Sequence, residues 1–341
     1  AFTIARTGRP GPVLIDIAKD VQAAELDYVY PEEVDLPGYR IPNGDLSSVI
    51  EQAAHLMNQA EKPLVIAGHG VVLAGAEDAL LALVEKGNLP VITTLLGIGA
   101  MPETHQLCLG MAGMHGEACT NLAVTEADLI IALGTRFDDR LTGPASEFAP
   151  GARIIHVDVD PVEINKNVAV DLSVVGDLKD ALPALIPLVD ASRREAWLAR
   201  IKKWRDETAQ RDILEQETDD LVPQYVVRQL WYATQGEAII VSDVGQNQMW
   251  EAQYFSHHRR RGLLSSGGLG TMGFALPAAI GAQMGRPEDQ VWVTVGDGGF
   301  QMNIKELATV VQEKLPLKID VRNKGDQGMV RQGQQLCFEG R

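Results

Sequence analysis

The sequence predicts an α/β protein with two doubly wound parallel-sheet domains. Short apolar runs alternate with helical patterns in two separate stretches, and several of these runs end at glycine. The clearest unit is in the second stretch, where residues 291–295 and residues 315–321 both have the pattern of buried strands. Between them the apolar residues follow the spacing of one helix face: Ile304, Leu307, Ala308 and Val311. A right-handed crossover would bring the carboxyl ends of both strands to one edge of the sheet.

The composition narrows the class of protein. The 341 residues suffice for two domains, and 46 acidic against 30 basic residues give a formal charge of −16. This charge argues against a nucleic-acid partner and against binding to an anionic membrane surface. No apolar run reaches the roughly 18 residues of a membrane span, so we expect a cytoplasmic or organelle-matrix protein. The cysteines Cys108, Cys119 and Cys337 lack metal-type spacing and are interpreted as ordinary thiols.

The other elements are predicted in chain order. Residues 11–17 have the pattern of a buried strand, and residues 21–42 that of an extended linker. The middle part alternates helices with strands; the helices are 45–59, 76–86 and 119–126, and the strands are 63–67, 90–94, 128–133 and 154–158. A charged helix follows at 192–216, with Trp197, Ile201 and Trp204 on one face, and we expect it to lie across the domain junction. A helix at 225–234 and a strand at 238–241 open the final domain.

Two glycine-rich turns are candidate ligand sites. After strand 291–295, Gly296, Asp297, Gly298 and Gly299 would let the backbone approach a bulky anion, and Asp297 offers an oxygen ligand to a divalent cation. Taken alone, this segment could equally be a tight turn with Asp297 as a helix cap. The second turn, residues 68–70, lacks the third glycine of a dinucleotide-binding motif and by itself is more typical of a plain strand-to-helix turn.

Several longer motifs carry a family resemblance. They are SSGGLGTMGFALPAA at 265–279, VGQNQMWEAQ at 244–253, GDGGFQMN at 296–303, GRPGPVLIDIAKDVQ at 8–22, GMHG at 113–116, GTRFDDR at 134–140 and GMVRQ at 328–332. In this order they closely resemble the catalytic subunit of acetohydroxyacid synthase, also called acetolactate synthase. Several independent motifs in one order are far more specific than a single glycine loop.

The resemblance implies a thiamine diphosphate enzyme that also contains Mg²⁺ and FAD. Its reaction would join two 2-oxo acids, pyruvate with pyruvate or 2-oxobutyrate, into a 2-acetohydroxy acid with release of CO₂, the first step of branched-chain amino-acid synthesis. A homodimer or homotetramer, with room for a regulatory small subunit, would be the assembly. The implied domains are the end of a pyrimidine-binding domain (1–25), a linker (26–43), a central FAD-type domain (44–190), a linker helix (191–221) and a thiamine diphosphate-binding domain (222–341).

The resemblance also implies roles for individual residues. The catalytic set would be Met272, Gly270, Lys19, Met114 and Asp139. Magnesium would be held by Asp297, Asn323 and Asp326. Around thiamine diphosphate we expect Val244, Gly245, Gln246, Asn247, Gly298, Gly299, Gly328 and Met329, with Gln248 and Met249 facing the flavin. The other FAD contacts would be Arg9, Gly68, Gly70, Thr94, Leu95, His115, Gly134, Arg136, Asp138, Asp158, Val159 and Asp177. On their own, Arg136 and Asp138 would be interpreted as a surface ion-pair cluster.

Four departures from the family pattern bear on the site. Lys324 occupies the position of a metal-binding asparagine, and an ammonium group has no lone pair for magnesium. Asn247 stands for a histidine, Gly333 for a tryptophan of the substrate channel, and Cys337 for an aromatic residue. The family's pyrimidine-activating glutamate lies in a domain outside this sequence, so we expect these residues alone to be inactive. The alternatives are a pyruvate oxidase or glyoxylate carboligase type of enzyme, or a non-catalytic partner subunit.

Overall fold

The structure, a computed structural model, describes residues 1–32, 34–41, 44–209, 221–323 and 325–338. Two parallel sheets organise the chain, which confirms the predicted fold class. The strands of the first sheet are β1 (Pro63–Ala67), β2 (Val91–Thr93), β3 (Cys108–Met111), β4 (Leu129–Leu133), β5 (Arg153–Asp158) and β6 (Leu172–Val175). Those of the second are β7 (Ile239–Ser242), β8 (Leu263–Ser265), β9 (Val291–Gly296) and β10 (Lys318–Arg322).

The helices of the described chain flank these sheets. In the part of the chain up to residue 185 they are α1 (Phe2–Arg6), α2 (Lys19–Gln22), α3 (Ser47–Gln59), α4 (His69–Ala74), α5 (Glu77–Gly87), α6 (Ala118–Glu126), α7 (Asp139–Thr142) and α8 (Leu178–Leu185). The later ones are α9 (Glu195–Ala209), α10 (Pro223–Thr234), α11 (Gln246–Tyr254), α12 (Ala275–Gly285), α13 (Asp297–Met302), α14 (Leu307–Gln312) and α15 (Gly328–Cys337). Strands β3, β6 and β8 and helices α1, α2, α4, α7, α8, α11, α12 and α15 were not predicted from the sequence.

The first sheet is buried on both faces, as a parallel sheet requires. Its strand order is β3-β2-β1-β4-β5-β6. Successive residues of β1 alternate between two apolar clusters, with Val65 and Ala67 in one and Leu64 and Ile66 in the other. Helices α3, α5 and α8 cover the first cluster, while α6 and α9 cover the second. This order reverses direction between β1 and β4, which is where doubly wound sheets bind ligands.

Helix α9 confirms the apolar face predicted for residues 192–216. Trp197, Ile201 and Trp204 are each at most 5 % exposed, and the two tryptophan rings pack edge to face at 5.9 Å. Trp197 also donates its indole N–H to the carbonyl of Pro63 in β1. The helix therefore packs on the core of the first sheet. Residues 210–216 of the predicted helix lie outside the described residues.

The strand predicted at residues 11–17 is wrong for the described chain. These residues have no strand pairing, and Leu14 and Ile15 are 93 % and 63 % exposed. Their apolar, β-branched pattern gives strand propensity but no ladder partner, and a strand without a neighbour has no hydrogen bonds to stabilise it. Much of residues 21–41 is irregular and exposed, as expected for a linker; residues 33, 42 and 43 lie outside the described ranges.

The helix predicted between β9 and β10 is also corrected. The Gly-Asp-Gly-Gly segment opens a short helix, α13, instead of a free turn, and a 3-10 turn separates it from α14. The predicted apolar face is largely solvent-exposed, with Ile304 at 47 % and Val311 at 77 %. The spacing of apolar residues indicates that a helix is amphipathic. Whether its apolar face is buried depends on another element that covers it. No helix among the described residues is long and apolar enough to span a membrane.

Candidate active site between the two sheets

Three glycines meet at the carboxyl edge of the first sheet. Gly68 and Gly70 follow β1, Gly134 follows β4, and β1 and β4 are hydrogen-bonded neighbours. A Cβ on Gly68 would lie 2.2 Å from the carbonyl oxygen of Gly134, and one on Gly70 would lie 2.6 Å from its Cα. The two loops therefore approach each other more closely than side chains allow. Gly134 adopts φ of 59°, which glycine tolerates at low cost.

A cavity of about 1080 Å³ lies between this edge and the second sheet. Its size is at the upper end of small-molecule sites. The predicted site residues that line it are Arg9, Gly70, Thr94, Leu95, His115, Gly134, Arg136, Asp138, Asp158, Val159, Asp177, Val244, Gln248, Met249, Gly270 and Met329. Residues assigned to the flavin and residues assigned to thiamine diphosphate thus share one cavity, although they are up to 320 positions apart in the chain.

The carboxylates lining the cavity have local structural roles. Asp138 caps α7 by accepting hydrogen bonds from the backbone N–H groups of Arg140 and Leu141, and Asp177 caps α8 through that of Lys179. Asp158, 8 % exposed at the end of β5, accepts from the backbone N–H of Asp160 at 2.8 Å. Thr94 likewise caps a 3-10 turn. These groups face the cavity from fixed positions, which is a useful property for binding.

Two of the arginines that line the cavity form ion pairs. Arg9 contacts Glu163 at 2.5 Å and Asp160 at 3.5 Å, which fastens the N-terminal segment to the turn after β5. Arg136 pairs with Asp138 at 3.3 Å, consistent with an ion-pair cluster at the surface. Burial and the nearby Arg140 lower the pKa of His115, so its imidazole is neutral at pH 7. The carbonyl of His115 accepts from Gln253 in α11 at 2.7 Å, joining the two sheets' domains at this point.

Four of the predicted residues that do not line this cavity belong to the first domain or the segment before it. Lys19 is exposed in α2, and Asp139 is exposed at the start of α7. Met114 is 58 % exposed, with its sulfur 3.4 Å from a guanidinium nitrogen of Arg140. Gly68 is used in the contact with Gly134 described above. Lys19, Met114 and Asp139 therefore do not share the cavity that Gly270 lines.

The amino end of α11 forms a polar wall beside β7. Gly245 precedes the helix with φ of 101°, and among the described residues no atom lies within 4 Å of a Cβ placed on it. No side chain of the described residues caps the helix, so the N–H groups of Gln246 and Asn247 remain available to an anion, whereas that of Gln248 donates to the Gly245 carbonyl at 3.2 Å. Asn247 in that turn is 7 % exposed, and its Oδ1 finds no hydrogen-bond partner within the described part of the chain.

Strands β9 and β10 place the predicted magnesium ligands side by side. Arg322 pairs with Gly296 in the parallel ladder, so the next residues, Asn323 and Asp297, emerge from neighbouring strand ends. Adjacent strands lie about 4.8 Å apart, which allows both side chains to reach one ion. Asn323 accepts from the backbone N–H of Gly325 through its Oδ1 at 3.0 Å. Asp326 differs, because its carboxylate contacts Arg331 at 2.6 Å.

Helix α13 approaches the turn that carries Met272. A Cβ on Gly298 would lie 3.8 Å from the terminal methyl of Met272 and 3.7 Å from the side-chain nitrogen of Gln327. Gly298 therefore faces both, while Gly328 begins α15 immediately after Gln327. Gly299 is fully enclosed: a Cβ on it would lie 2.7 Å from a carboxylate oxygen of Asp243. Gly298 leaves room for a ligand, and Gly299 lets the helix approach β7.

The structure describes only some of the positions at which the sequence departs from the family pattern. Lys324 lies outside the described residues, and the side chain of Cys337 is not described. Gly333 lies in α15, and no atom of the described residues lies within 4 Å of the point where its Cβ would be. Over the described ranges, no group of three or more His, Cys, Asp or Glu side chains forms a metal site. Magnesium commonly uses only one or two carboxylates and completes its shell with water and phosphate oxygens.

Sequence reasoning missed two buried charged groups. Asp243, 1 % exposed, follows β7, and Glu251 of α11, 0 % exposed, contacts Arg322 of β10 at 2.9 Å. Burial raises the pKa of Glu251, and Arg322 opposes that rise. An acid directly after a buried strand was a usable signal for Asp243. The pair between Glu251 and Arg322 joins residues 71 positions apart, so no local pattern indicated it.

Comparisons with known proteins identify the two domains. Residues 50–185 match the central domain of thiamine pyrophosphate enzymes, and residues 243–341 match their C-terminal TPP binding domain. The acetolactate synthase large subunit of Corynebacterium glutamicum is 47 % identical over 100 % of this chain. The probable acetolactate synthase large subunit of Methanocaldococcus jannaschii is also 47 % identical, over 99 % of this chain. The isozyme 3 large subunit of Escherichia coli is 41 % identical over 100 % of it.

The chain spans 55 %, 59 % and 61 % of the length of these three relatives, respectively. The first match contains all six strands of the first sheet, and the second, which begins at Asp243 directly after β7, contains β8, β9 and β10 of the second sheet. The resemblance drawn from the motifs is thereby confirmed. The chain belongs to the thiamine pyrophosphate enzymes and is homologous to acetolactate synthase large subunits along its whole length.

Proposed function

We propose that this chain is part of a thiamine diphosphate enzyme that condenses two 2-oxo acids to a 2-acetohydroxy acid with release of CO₂. Pyruvate with pyruvate or 2-oxobutyrate would be the substrates, at the first step of branched-chain amino-acid synthesis. The observation that carries the proposal is the pairing of β9 with β10, which presents Asp297 and Asn323 from neighbouring strand ends. Similarity to acetolactate synthase large subunits supports the same reaction.

The residues present fit the diphosphate end of the cofactor. The uncapped N-terminus of α11 attracts anions, and the open backbone at Gly245 and Gly298 allows a large group to approach. Asp297 and Asn323 offer one carboxylate and one carboxamide oxygen, a donor set typical of magnesium bound to phosphate. The carboxylate of Asp326 is paired with Arg331, so we propose that Asp326 contributes to the metal site through its own backbone.

The reaction also depends on the turn between β8 and α12. When bound, thiamine diphosphate supplies the carbon nucleophile and the electron sink for loss of CO₂. The Gly270 carbonyl oxygen would accept a hydrogen bond from its aminopyrimidine. Met272, whose methyl group lies against Gly298, would pack between the two rings, a task suited to a flexible, polarizable side chain. Lys19, Met114 and Asp139 would join this site only after a rearrangement or in an assembly.

FAD would occupy the cavity between the sheets. Its position at the reversal of strand order and its lining by both domains support a dinucleotide. Residues 44–190 would then be the FAD-binding domain and residues 222–341 the thiamine diphosphate-binding domain, joined by a linker helix at 191–221. A homodimer or homotetramer with a regulatory small subunit, in the cytoplasm or an organelle matrix, completes the proposal.

A non-catalytic partner subunit is the second candidate function. Lys324 favours it, because a cation in place of a neutral ligand opposes metal binding. An ammonium and a divalent cation about 4 Å apart would repel by roughly 8 kcal/mol at an effective dielectric constant of about 20. The two functions differ in one measurable property, the dependence of thiamine diphosphate binding on magnesium.

Calorimetric titration with thiamine diphosphate, with and without Mg²⁺, tests the proposal. We expect binding that strengthens with Mg²⁺, and we expect Asp297→Ala to remove that dependence because it deletes the carboxylate ligand. Glu313→Gln, which neutralises an exposed acid of the same domain, serves as the matched control and should bind like the wild type. Absence of binding at every Mg²⁺ concentration would contradict the enzyme function for this chain.

A further inference from the structure

The Asp243 side chain makes an unusual set of contacts beside the proposed cofactor site. It is 1 % exposed, and its carboxylate accepts three backbone hydrogen bonds. The N–H groups of Val244 and Gly273 donate to Oδ1 at 2.9 and 3.1 Å, and that of Ala275 donates to Oδ2 at 2.9 Å. Hydrogen bonds to an ionised acceptor are about twice as strong as neutral ones.

Two of these donors belong to the turn that carries Gly270 and Met272. That turn leads into α12, whose own first residues provide no side-chain cap. Asp243 therefore supplies the cap from 32 residues earlier in the chain, and its negative charge lies at the positive end of the α12 dipole. The start of α12 is therefore held by a contact made across the fold, whereas Ser266 accepts the local hydrogen bonds from Gly270 and Thr271 within the turn.

Helix α13 holds the same turn from the other side. The side-chain amide of Asn303, the residue after α13, donates to the carbonyl of Gly273 at 2.7 Å. Gly299 within α13 lies so close to Asp243 that a Cβ there would be 2.7 Å from Oδ1. The carboxylate is thus enclosed between the turn, β7 and the helix that begins with Asp297.

We propose that Asp243 is a positioning residue that sets the Gly270–Met272 turn relative to α13, so that the pyrimidine end and the metal end of the cofactor are held in register. This inference rests on the proposed function for its ligand, whereas its structural claim concerns the protein alone. Asp243 touches neither end directly. Its effect is transmitted by the backbone of Gly273 and Ala275 and by contact with Gly299.

Hydrogen exchange of Asp243→Asn tests the structural claim without any cofactor. The new amide would direct an N–H group at the N–H of Ala275, so one hydrogen bond is lost and two donors face each other. We expect the amides of Gly273 and Ala275 to exchange about tenfold to a hundredfold faster, while those of β4 keep the wild-type rate. Asn303→Ala, which releases Gly273 from the opposite side, should speed exchange of the same turn and serves if Asp243→Asn does not fold.

Asp289→Asn is the matched control, because Asp289 is a partly buried aspartate of the same domain that pairs with Arg259 and Arg286, away from the turn. It should leave exchange at Gly273 and Ala275 unchanged. Equal exchange of the turn in wild type and Asp243→Asn would overturn the inference. This result would leave the proposed function intact.

Thiamine diphosphate titration with Mg²⁺ tests the functional half. We expect Asp243→Asn to bind about tenfold more weakly, since the two ends of the site are no longer aligned. A loosened turn with undiminished affinity would refute the positioning role. Failure of the wild type to bind thiamine diphosphate would refute the proposed function instead, and exchange would still decide whether Asp243 fixes the turn.

Discussion

At the scale of single residues, Asp297 and Asn323 show how much depends on one position. Both lie at strand ends, and the ladder between β9 and β10 makes them neighbours. The sequence predicted this arrangement from the spacing of a strand, a helix and a strand. It also showed that Lys324, not a second asparagine, follows Asn323. The charge at position 324 is thus the main chemical difference between this site and the family pattern.

Replacing that charge should strengthen cofactor binding. Lys324→Asn adds an oxygen ligand and removes a cation, so we expect the affinity for thiamine diphosphate in the presence of Mg²⁺ to rise about tenfold or more. Lys305→Asn, which removes an exposed charge from the same domain, controls for net charge and should have little effect. Equal affinities in Lys324→Asn and wild type would show that position 324 does not limit metal binding.

At the scale of elements, the loops after β1 and β4 create the crevice proposed for FAD. The mutual contact of Gly68, Gly70 and Gly134 explains the glycines by backbone packing, with no ligand needed. What favours a ligand there is the cavity in front of these loops and the reversal of strand order behind them. Close backbone contact therefore explains the glycines, whereas the cavity and the strand order support the proposed binding site.

We expect the purified protein to take up FAD and to show flavin absorbance. Arg136→Ala should weaken this uptake, because Arg136 lines the cavity and is positively charged towards an anionic ligand. Arg286→Ala removes a comparable exposed arginine, paired with Asp289 at 2.7 Å outside the cavity, and should leave uptake unchanged. Protein that remains colourless after incubation with FAD would exclude flavin binding by this chain.

At the scale of the whole molecule, the two domains are joined by hydrogen bonds and ion pairs. The backbone N–H of Glu103 donates to the carbonyl of His257 at 2.9 Å, and the backbone N–H of His257 donates to the carboxylate of Glu103 at 2.6 Å. Arg260 pairs with Asp78 across the same boundary. The basic run at residues 259–261 thus contributes to the domain contact. Burial raises the pKa of Glu103 to about 8 and lowers that of His257 to about 3.

The stability of this contact should depend on pH. An acid whose pKa rises on folding binds its proton more tightly in the folded state, so its contribution is full below the unfolded pKa of about 4.5 and is lost as pH rises towards 8. Glu103→Gln stays neutral and can still accept from His257. We expect this variant to be more stable than wild type at pH 8.5 and nearly equal to it at pH 5 in urea unfolding. A difference independent of pH, or the same pattern in the exposed control Glu288→Gln, would contradict this account.

Much of the fold was predictable because its causes are local. Strand β1 was predicted with its observed bounds, and α5, α6, α10 and β5 to within two residues at either end, since apolar runs and helical periods are properties of adjacent residues. The short strands β3, β6 and β8 were missed, whereas the equally short β2 and β7 were predicted because they lie in clear apolar runs. Exposure of residues 11–17 and of Val311 could not be predicted, because burial depends on a neighbouring element.

The sequence by itself determined the α/β class, the family and the chemical types available at the site. Only the tertiary structure decided which of the site residues lie next to each other. The register of β9 and β10 brings Asp297 beside Asn323, the second sheet closes the cavity over the first, and Asp243 caps a helix 32 residues away. Local patterns follow from the covalent chain, whereas these contacts join distant residues and arise only when the whole core packs.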